Sequence, residues 1–387
     1  MNLDFTPEQV AFRAEIRGWL SANVPSEPLI TLECEEGFHQ HVEWERKLAS
    51  GNWGMVTWPE AVGGRGLDLI EWLIFEEEYW SAGAPLRVNQ NGIFLLGPTI
   101  MEFGTDEQKK RFLTPMAAGE VIWAQAWSEP GAGSDMAAIT TTAVRDGDHY
   151  VINGQKTWSS RASFGDWGFG LFRTEEGSKR HKGLSFILFD LETPGVTRRP
   201  IRQLHGDPGF AELFFDDVRV PVENLIHEEG KGWNVAMATA GFERGLMLRS
   251  PGRFQAVARR LVDLFRKHEA DASLSAREAV TKAWMDTQAY AYNTYSVAAK
   301  IMAGGSIGAE ASLNKIFWSE LDQSMNRTAM HLLGAAAELR KFAGGSQNDW
   351  LEGYIFSLSG PIYAGSNEVQ RNITAERLLG LPRVGAG

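Results

Sequence analysis

The chain has almost no cysteine: Cys34 is the single one in 387 residues, which excludes an internal disulfide and a cysteine-ligated metal and suits a reducing compartment. It also lacks an apolar run long enough for a membrane span, and its first residues, MNLDFTPEQV, have neither the basic start nor the apolar core of a signal peptide. Positive charge is in short supply. Lys and Arg total 38 against 49 Asp and Glu, a formal net charge of −11, so nothing offsets phosphate repulsion from a nucleic acid or an anionic membrane. An anionic ligand therefore needs a local basic pocket. The eight histidines include no His-Glu-x-x-His spacing, and His39 and His41, two apart, cannot share a helix face. No metal is assigned, and the expectation is a cytoplasmic enzyme or binding protein.

Three zones follow one another along the chain. Residues 1–120 read as a helical domain, with capping-box spacings at Thr6/Gln9 and Thr105/Gln108 and Pro7 at the first helical position. In the first helix Phe12, Ile16, Trp19 and Leu20 fall on one face. Residues 121–229 turn to β-branched and aromatic runs, with DGD and NG as hairpin signals, and read as an antiparallel, barrel-like sheet. Residues 230–387 return to the helical period in segments near 231–268, 275–303, 307–333 and 346–359, with a last helix from about 367. Lengths of that order favour a bundle. Pro251 falls inside an otherwise helical stretch and predicts a kink. The fold class is α+β.

Two stretches carry candidate chemistry. WSEPGAGSD (127–135) is either an ordinary turn or a loop whose backbone N–H groups and Ser134 hydroxyl hold a phosphate. No Gly-Lys-Ser/Thr follows, so it is not a Walker loop, and no helix follows, so it is not a dinucleotide fingerprint. NGQKTWSS (153–160) reads as a hairpin entering a strand that places Trp158 and Ser160 on one face. Near the C-terminus, GPIYAGSNEVQRN (360–372) reads as a turn leading into a helix capped by Ser366.

Taken in order over nearly the whole chain, the helical zone, SEPGAGSD, INGQKTWSS, the bundle with FERG and the terminal IYAGSNEVQRNITAERLLG resemble the acyl-CoA dehydrogenase family. The resemblance implies a flavin adenine dinucleotide (FAD) between the sheet domain and the C-terminal bundle. Gln125, Trp127 and Ser128 would run along the pyrimidine end of its ring. Ser134 would meet the diphosphate and the substrate, Trp158 would shield the ring, and Ser160 would approach N5. Ser366 and Glu368 would touch the adenosine portion, while Ala364 and Gly365 would contact the acyl-CoA.

The family commonly carries its base in that terminal turn, as a glutamate immediately before the glycine, where this chain has Ala364. One branch of the family places the base on a bundle helix, directly before an arginine. GFERG puts Glu243 there, before Arg244, among Ala238, Ala240, Phe242, Leu246 and Met247. The implied reaction is dehydrogenation of an acyl-CoA to the trans-2-enoyl-CoA, with Glu243 as base, Arg244 beside the substrate and an electron-transfer flavoprotein as acceptor. In the family a helix-borne base goes with long or branched chains, which favours a bulky, branched or sterol-derived acyl group. An oxidase or flavin monooxygenase on the same fold, and a non-catalytic partner subunit, are the competing readings.

Homotetrameric relatives also hold the neighbour's flavin with an Arg-x-x-Phe-Gly motif and a Gly-Gly-x-Gly loop. Both are missing here; LLGAAAELR stands where the second belongs. The expected assembly is a heterotetramer with a sister acyl-CoA dehydrogenase-like chain. The alternative is a homo-oligomer in which Arg266 or Arg277 substitutes.

Overall fold

The computed structural model describes residues 4–244, 250–342 and 348–383, and the side chains of residues 243 and 244 lie outside that description. Two compact units divide the chain: one takes Met1–Val24, Asp68–Ala84 and Arg244–Gly387, the other Pro25–Leu67 and Pro85–Glu243. The helical zone at the start of the chain is thus shared between them.

Helix α1 (Pro7–Asn23) opens with the capping box its sequence spells, the Gln9 N–H donating to Thr6 Oγ1 at 3.3 Å and the Thr6 N–H to Gln9 Oε1 at 3.1 Å. Phe12, Ile16 and Leu20 are buried on its predicted face and Trp19 is half-buried. Helices α2 (Glu35–Ser50), α3 (Leu69–Ser81), α4 (Gly97–Phe103) and α5 (Asp106–Ala117) follow, α5 with the expected Thr105/Gln108 box.

In the second unit β1 (Trp123–Ala126), β2 (Thr142–Asp146), β3 (His149–Ser160), β4 (Trp167–Arg173), β5 (Leu184–Asp190), β6 (Val196–Ile201), β7 (Phe210–Pro221) and β8 (Leu225–Ile226) form one sheet in the order β6-β7-β3-β1-β4-β5-β8, with β2 against β3 and β4. Its core is aromatic: Phe172, Phe189 and Phe215 meet edge to face around Ile152, Ile187 and Leu213. The expectation of a wholly antiparallel sheet is corrected here. β1 pairs parallel with β4, Trp123 opposite Trp167 through Ala126 opposite Gly170. The reason is the chain path: β3 runs antiparallel to β1, and the turn after Ser160 reverses direction once more.

The two hairpin signals have different fates. DGD is a hairpin, with Asp146 opposite His149. NG is not; it lies within β3, where the register against β7 slips between Ile152 and Gly154. A side chain at Gly154, which has φ of 140°, would meet Thr141 at 2.7 Å, so the glycine serves a bulge and a close approach. β6 escapes the sequence pattern because VTRRPI is an exposed edge strand with two arginines and a proline.

In the first unit α1 and α3 pack with α7 (Pro251–His268), α8 (Leu274–Met302), α9 (Ala311–Leu333), α10 (Asp349–Ser357) and α11 (Asn367–Ile373). Arg13 and Arg17 pair with Glu77 and Glu78 across α1 and α3, and the Tyr295 hydroxyl donates to Glu77 at 2.9 Å. The core centres on Phe254, Leu261, Trp318 and Met325. The expected kink at Pro251 does not occur. α6 (Gly232–Arg244) has ended before it, and Pro251 is the first residue of α7 behind Ser250, where its missing N–H breaks no helical hydrogen bond. Among the described residues no helix is long and apolar enough to cross a membrane.

Candidate active site

The six sheet-domain candidates gather around one strand pair. Gln125 on β1 lies opposite Ser160 on β3. The loop that leaves β1 is tied back to β3 by the Thr157 N–H, which donates to the Ser128 carbonyl at 2.8 Å. A tight turn follows, with Glu129 and Ala132 exchanging backbone hydrogen bonds of 3.1 and 3.0 Å, and it delivers an exposed Ser134. Next to Ser134, Asp135 takes both guanidinium nitrogens of Arg180. Trp127 and Ser128 are half-buried.

Trp158 departs from strand geometry. Its φ is 56° and the β3/β7 register slips between Lys156 and Ser159, so strict alternation fails there. Its side chain is 59% exposed, with one edge toward Phe210, whereas Ser160 is half-buried. Asn91 opens a π-helix (Asn91–Leu96) and donates from Nδ2 to the carbonyls of Trp123 and Ser160, each at 3.3 Å, tying the two strands.

Under the loop is a charge pair that the motifs contain but their sequence does not announce. Lys156 is fully buried and donates to Glu129 Oε1 at 2.8 Å and to the Leu171 carbonyl at 2.7 Å. Glu129 also accepts the Thr140 N–H at 2.6 Å, the Thr140 hydroxyl at 2.9 Å and the Thr141 N–H at 3.0 Å. Desolvation, the largest single influence, opposes ionisation of Glu129, yet Lys156 and the threonine donors outweigh it and hold the carboxyl down to about 2. Desolvation also pushes the Lys156 ammonium down to about 8, with Glu129 acting against it.

This yields a pH prediction. Because the folded pKa of Glu129 lies below its unfolded value of 4.5, its contribution is fully present above pH 4.5 and is lost as pH falls toward 2. The shift corresponds to about 3 kcal/mol. The stability gap between wild type and Glu129→Gln, measured by urea melts, is therefore expected to be largest above pH 4.5 and to close toward pH 2. A gap that does not change with pH would refute the assignment.

The C-terminal turn, in the other unit, is built with comparable care. Ala364 and Gly365 adopt φ of 55° and 76° in succession, a path that a non-glycine residue takes at a cost of about 1 kcal/mol or more. Gln370, fully buried, donates from Nε2 to the carbonyls of Ala364 at 3.4 Å and Gly365 at 3.3 Å. The Asn367 N–H closes the turn onto the Pro361 carbonyl at 2.8 Å, and Asn367 Oδ1 accepts from the buried Lys315 ammonium at 2.8 Å. Ser366 caps α11, its Oγ accepting the Val369 N–H at 3.3 Å, and Glu368 is exposed in the first turn. Glu243 and Arg244 are the last residues of α6; their side chains fall outside the described residues.

Four buried side-chain polar atoms among the described residues have no partner: Trp123 Nε1, Trp127 Nε1, Ser159 Oγ and Gln370 Oε1. Buried polar atoms are seldom left so. Trp127 and Ser159 lie within the Gln125–Ser128 and Trp158–Ser160 stretches, Trp123 just before the first, and Gln370 is the side chain that holds the 364–365 turn. Within the sheet unit, residues in these places fit a bound group rich in ring nitrogens, oxygens and hydroxyls, as FAD is. Glu129, Lys156, Asn91 and Gln370 were not singled out in the sequence. A lysine at an inward-facing strand position was the one available signal.

The chain thus has helices before and after a single sheet, a glycine-rich loop leaving that sheet, an exposed tryptophan and a left-handed C-terminal turn. Residues 6–120, 124–218 and 230–379 match the N-terminal, middle and C-terminal domains of acyl-CoA dehydrogenase. Acyl-CoA dehydrogenase IpdE1 of Mycobacterium tuberculosis (strain ATCC 25618 / H37Rv) is 41% identical over 97% of this chain and 98% of that protein. Two solved structures have similar chains: the Tcur3481-Tcur3483 steroid ACAD, with a TM-score of 0.88 and 29% identity over 99% of this chain and 100% of that one, and the ChsE4-ChsE5 complex from Mycobacterium tuberculosis, with 0.84 and 31% over the same shares. This chain belongs to the acyl-CoA dehydrogenase family, whose members are FAD-dependent oxidoreductases.

Proposed function

We propose that this chain dehydrogenates a bulky acyl-CoA thioester at its α and β carbons, with Glu243 as the base that takes the α-proton. The observation that carries this reading is the C-terminal turn: its backbone is held left-handed through residues 364 and 365 by Gln370, yet residue 364 is alanine and has no proton acceptor. Position 243 lies four residues after Thr239 and three after Ala240, both buried, the spacings at which helix residues are neighbours. A carboxylate set among apolar residues has its pKa raised, as abstraction of a carbon-bound proton requires.

The remaining roles follow from what each group can donate. The backbone N–H of Ala364 supplies a hydrogen bond to the thioester oxygen as negative charge develops there, whatever side chain the residue bears; a donor so placed is worth about 3–4 kcal/mol. Gln370 keeps that N–H in place by holding the two carbonyls that follow it. Gln125, Trp127, Ser128, Trp158 and Ser160 hold and cover the flavin ring, Ser134 its diphosphate and the substrate, and Ser366 and Glu368 its adenosine end. Gly365 leaves room at the acyl-CoA, and Arg244 orients it. FAD held by these residues would supply the two-electron acceptor for the hydrogen that leaves the β-carbon with its electron pair. The product is the trans-2-enoyl-CoA, and an electron-transfer flavoprotein is the expected acceptor.

A steroid-type acyl group is favoured because one similar chain belongs to a protein described as a steroid ACAD. Anaerobic addition of a sterol-side-chain acyl-CoA is expected to bleach the flavin absorbance, and butyryl-CoA to do so far more slowly. Equal rates would rule out a large pocket, and no bleaching with any acyl-CoA would leave this chain a silent subunit. Admitting oxygen afterwards separates the alternatives, since rapid reoxidation without added acceptor identifies an oxidase.

A further inference from the structure

We propose that Lys156 is a positioning residue for the cofactor, acting through the carbonyl of Trp127 to aim the Ser128 N–H, in the loop that leaves β1, at the flavin. The inference rests on the flavin reading above and extends it to a residue that cannot itself touch the ligand, since Lys156 is fully buried.

An ammonium has three protons to donate. Lys156 directs its Nζ to Glu129 Oε1 at 2.8 Å, to the Leu171 carbonyl on β4 at 2.7 Å and to the Trp127 carbonyl at 3.5 Å, with the Phe172 ring centre 5.1 Å away. The Trp127–Ser128 peptide is trans, so its N–H points away from its carbonyl. With the Trp127 carbonyl turned down onto Lys156, the Ser128 N–H is turned up, out of the sheet core. The next carbonyl, that of Ser128, is held by the Thr157 N–H, the residue after Lys156. Two consecutive peptides are therefore pinned by two consecutive residues of β3, and the donor between the two held carbonyls, the Ser128 N–H, is presented without freedom to rotate, while the Glu129 N–H is used on the Ala132 carbonyl. That is how a cofactor site gains affinity from residues beyond its contact shell, by lowering the cost of ordering the donors on binding.

Glu129 has a different part. It keeps the buried ammonium ionised and uses its other lone pairs on Thr140 and Thr141. A merely structural ion pair would predict equal losses from either partner, and loss of stability and of FAD in step. The positioning role predicts that they separate.

The test uses the protein in the assembly in which it purifies, stripped of flavin and titrated with FAD by fluorescence, alongside thermal melts. Lys156→Met is expected to lower stability and to raise the FAD dissociation constant about tenfold or more, the loss of one charge-assisted contact. Glu129→Gln keeps the amine on both carbonyls and is expected to stay within about threefold of wild type for FAD. The double variant Glu129→Gln/Lys156→Met leaves no lone buried charge; its melting temperature is expected to recover toward wild type while FAD binding stays as weak as in Lys156→Met. Native FAD affinity in the double variant would overturn the proposal, as would a loss in Glu129→Gln equal to that in Lys156→Met. A wild-type assembly that binds no FAD would overturn the flavin reading itself, and this inference with it.

Discussion

Glu243→Gln is expected to retain the fold and the flavin but to lose about 10²- to 10⁴-fold in turnover, the range of a positioned general base. The amide is nearly isosteric with the carboxylate, so the melting temperature should hardly move, and anaerobic single-turnover bleaching isolates the chemical step. Native turnover in this variant would reject Glu243 as the base. A companion substitution sharpens the result. If Glu243 and the left-handed turn address the same α-carbon, Ala364→Glu placed in the Glu243→Gln background returns a carboxylate to the turn and is expected to recover part of the rate. The backbone there is already committed to φ of 55° by the residues around it, so the new side chain adds volume but no new backbone strain.

Flavin content of the chain purified alone is expected to be far below one per subunit and to rise to one FAD per pair of chains when a sister acyl-CoA dehydrogenase-like chain is co-expressed. The segment that should complete a neighbour's adenosine site is instead a short 3₁₀ helix (Gly334–Glu338), and the Asn348 side chain donates to the carbonyls of Ala337 at 3.2 Å and Leu339 at 2.8 Å. Backbone engaged in that way is not an open glycine loop. The substitute arginines offer little: Arg266 is exposed and pairs with Asp263 within α7, and Arg277 is exposed near the start of α8. A diphosphate without an arginine partner forgoes one of the stronger contacts available to it. Two of the similar solved structures carry paired names, ChsE4-ChsE5 and Tcur3481-Tcur3483, which supports the pairing proposed here. Absorbance at the flavin band and mass by light scattering check it. A stable homotetramer with one FAD per chain would overturn the heteromer.

Much of this was legible without coordinates. Local rules sufficed for the capping boxes at Thr6 and Thr105, the Ser366 cap, the DGD hairpin and the long C-terminal helices, because each depends on residues within a turn or two of one another. The family followed from the order of short motifs along nearly the whole chain. That residue 364 is alanine and offers no proton acceptor was visible from one residue identity.

What the local rules misjudged has a common cause. NG reads as a turn from its two residues, but β7 runs alongside and makes it a bulge; Pro251 reads as a kink until Ser250 before it is seen to be extended and Pro251 to open α7. The parallel pairing of β1 with β4 was invisible for the same reason, being set by the path of the strands between them. By itself, then, the sequence determined the family, the segments that bear the cofactor motifs and the residue proposed as base. Tertiary structure alone decided that Lys156 and Glu129, 27 positions apart, meet beneath the loop, and that Gln370 is buried under the turn it holds. Burial and pairing at such separations are properties of the assembled chain. No periodicity or propensity in a single strand or helix encodes which distant partner will neutralise a charge once water is gone.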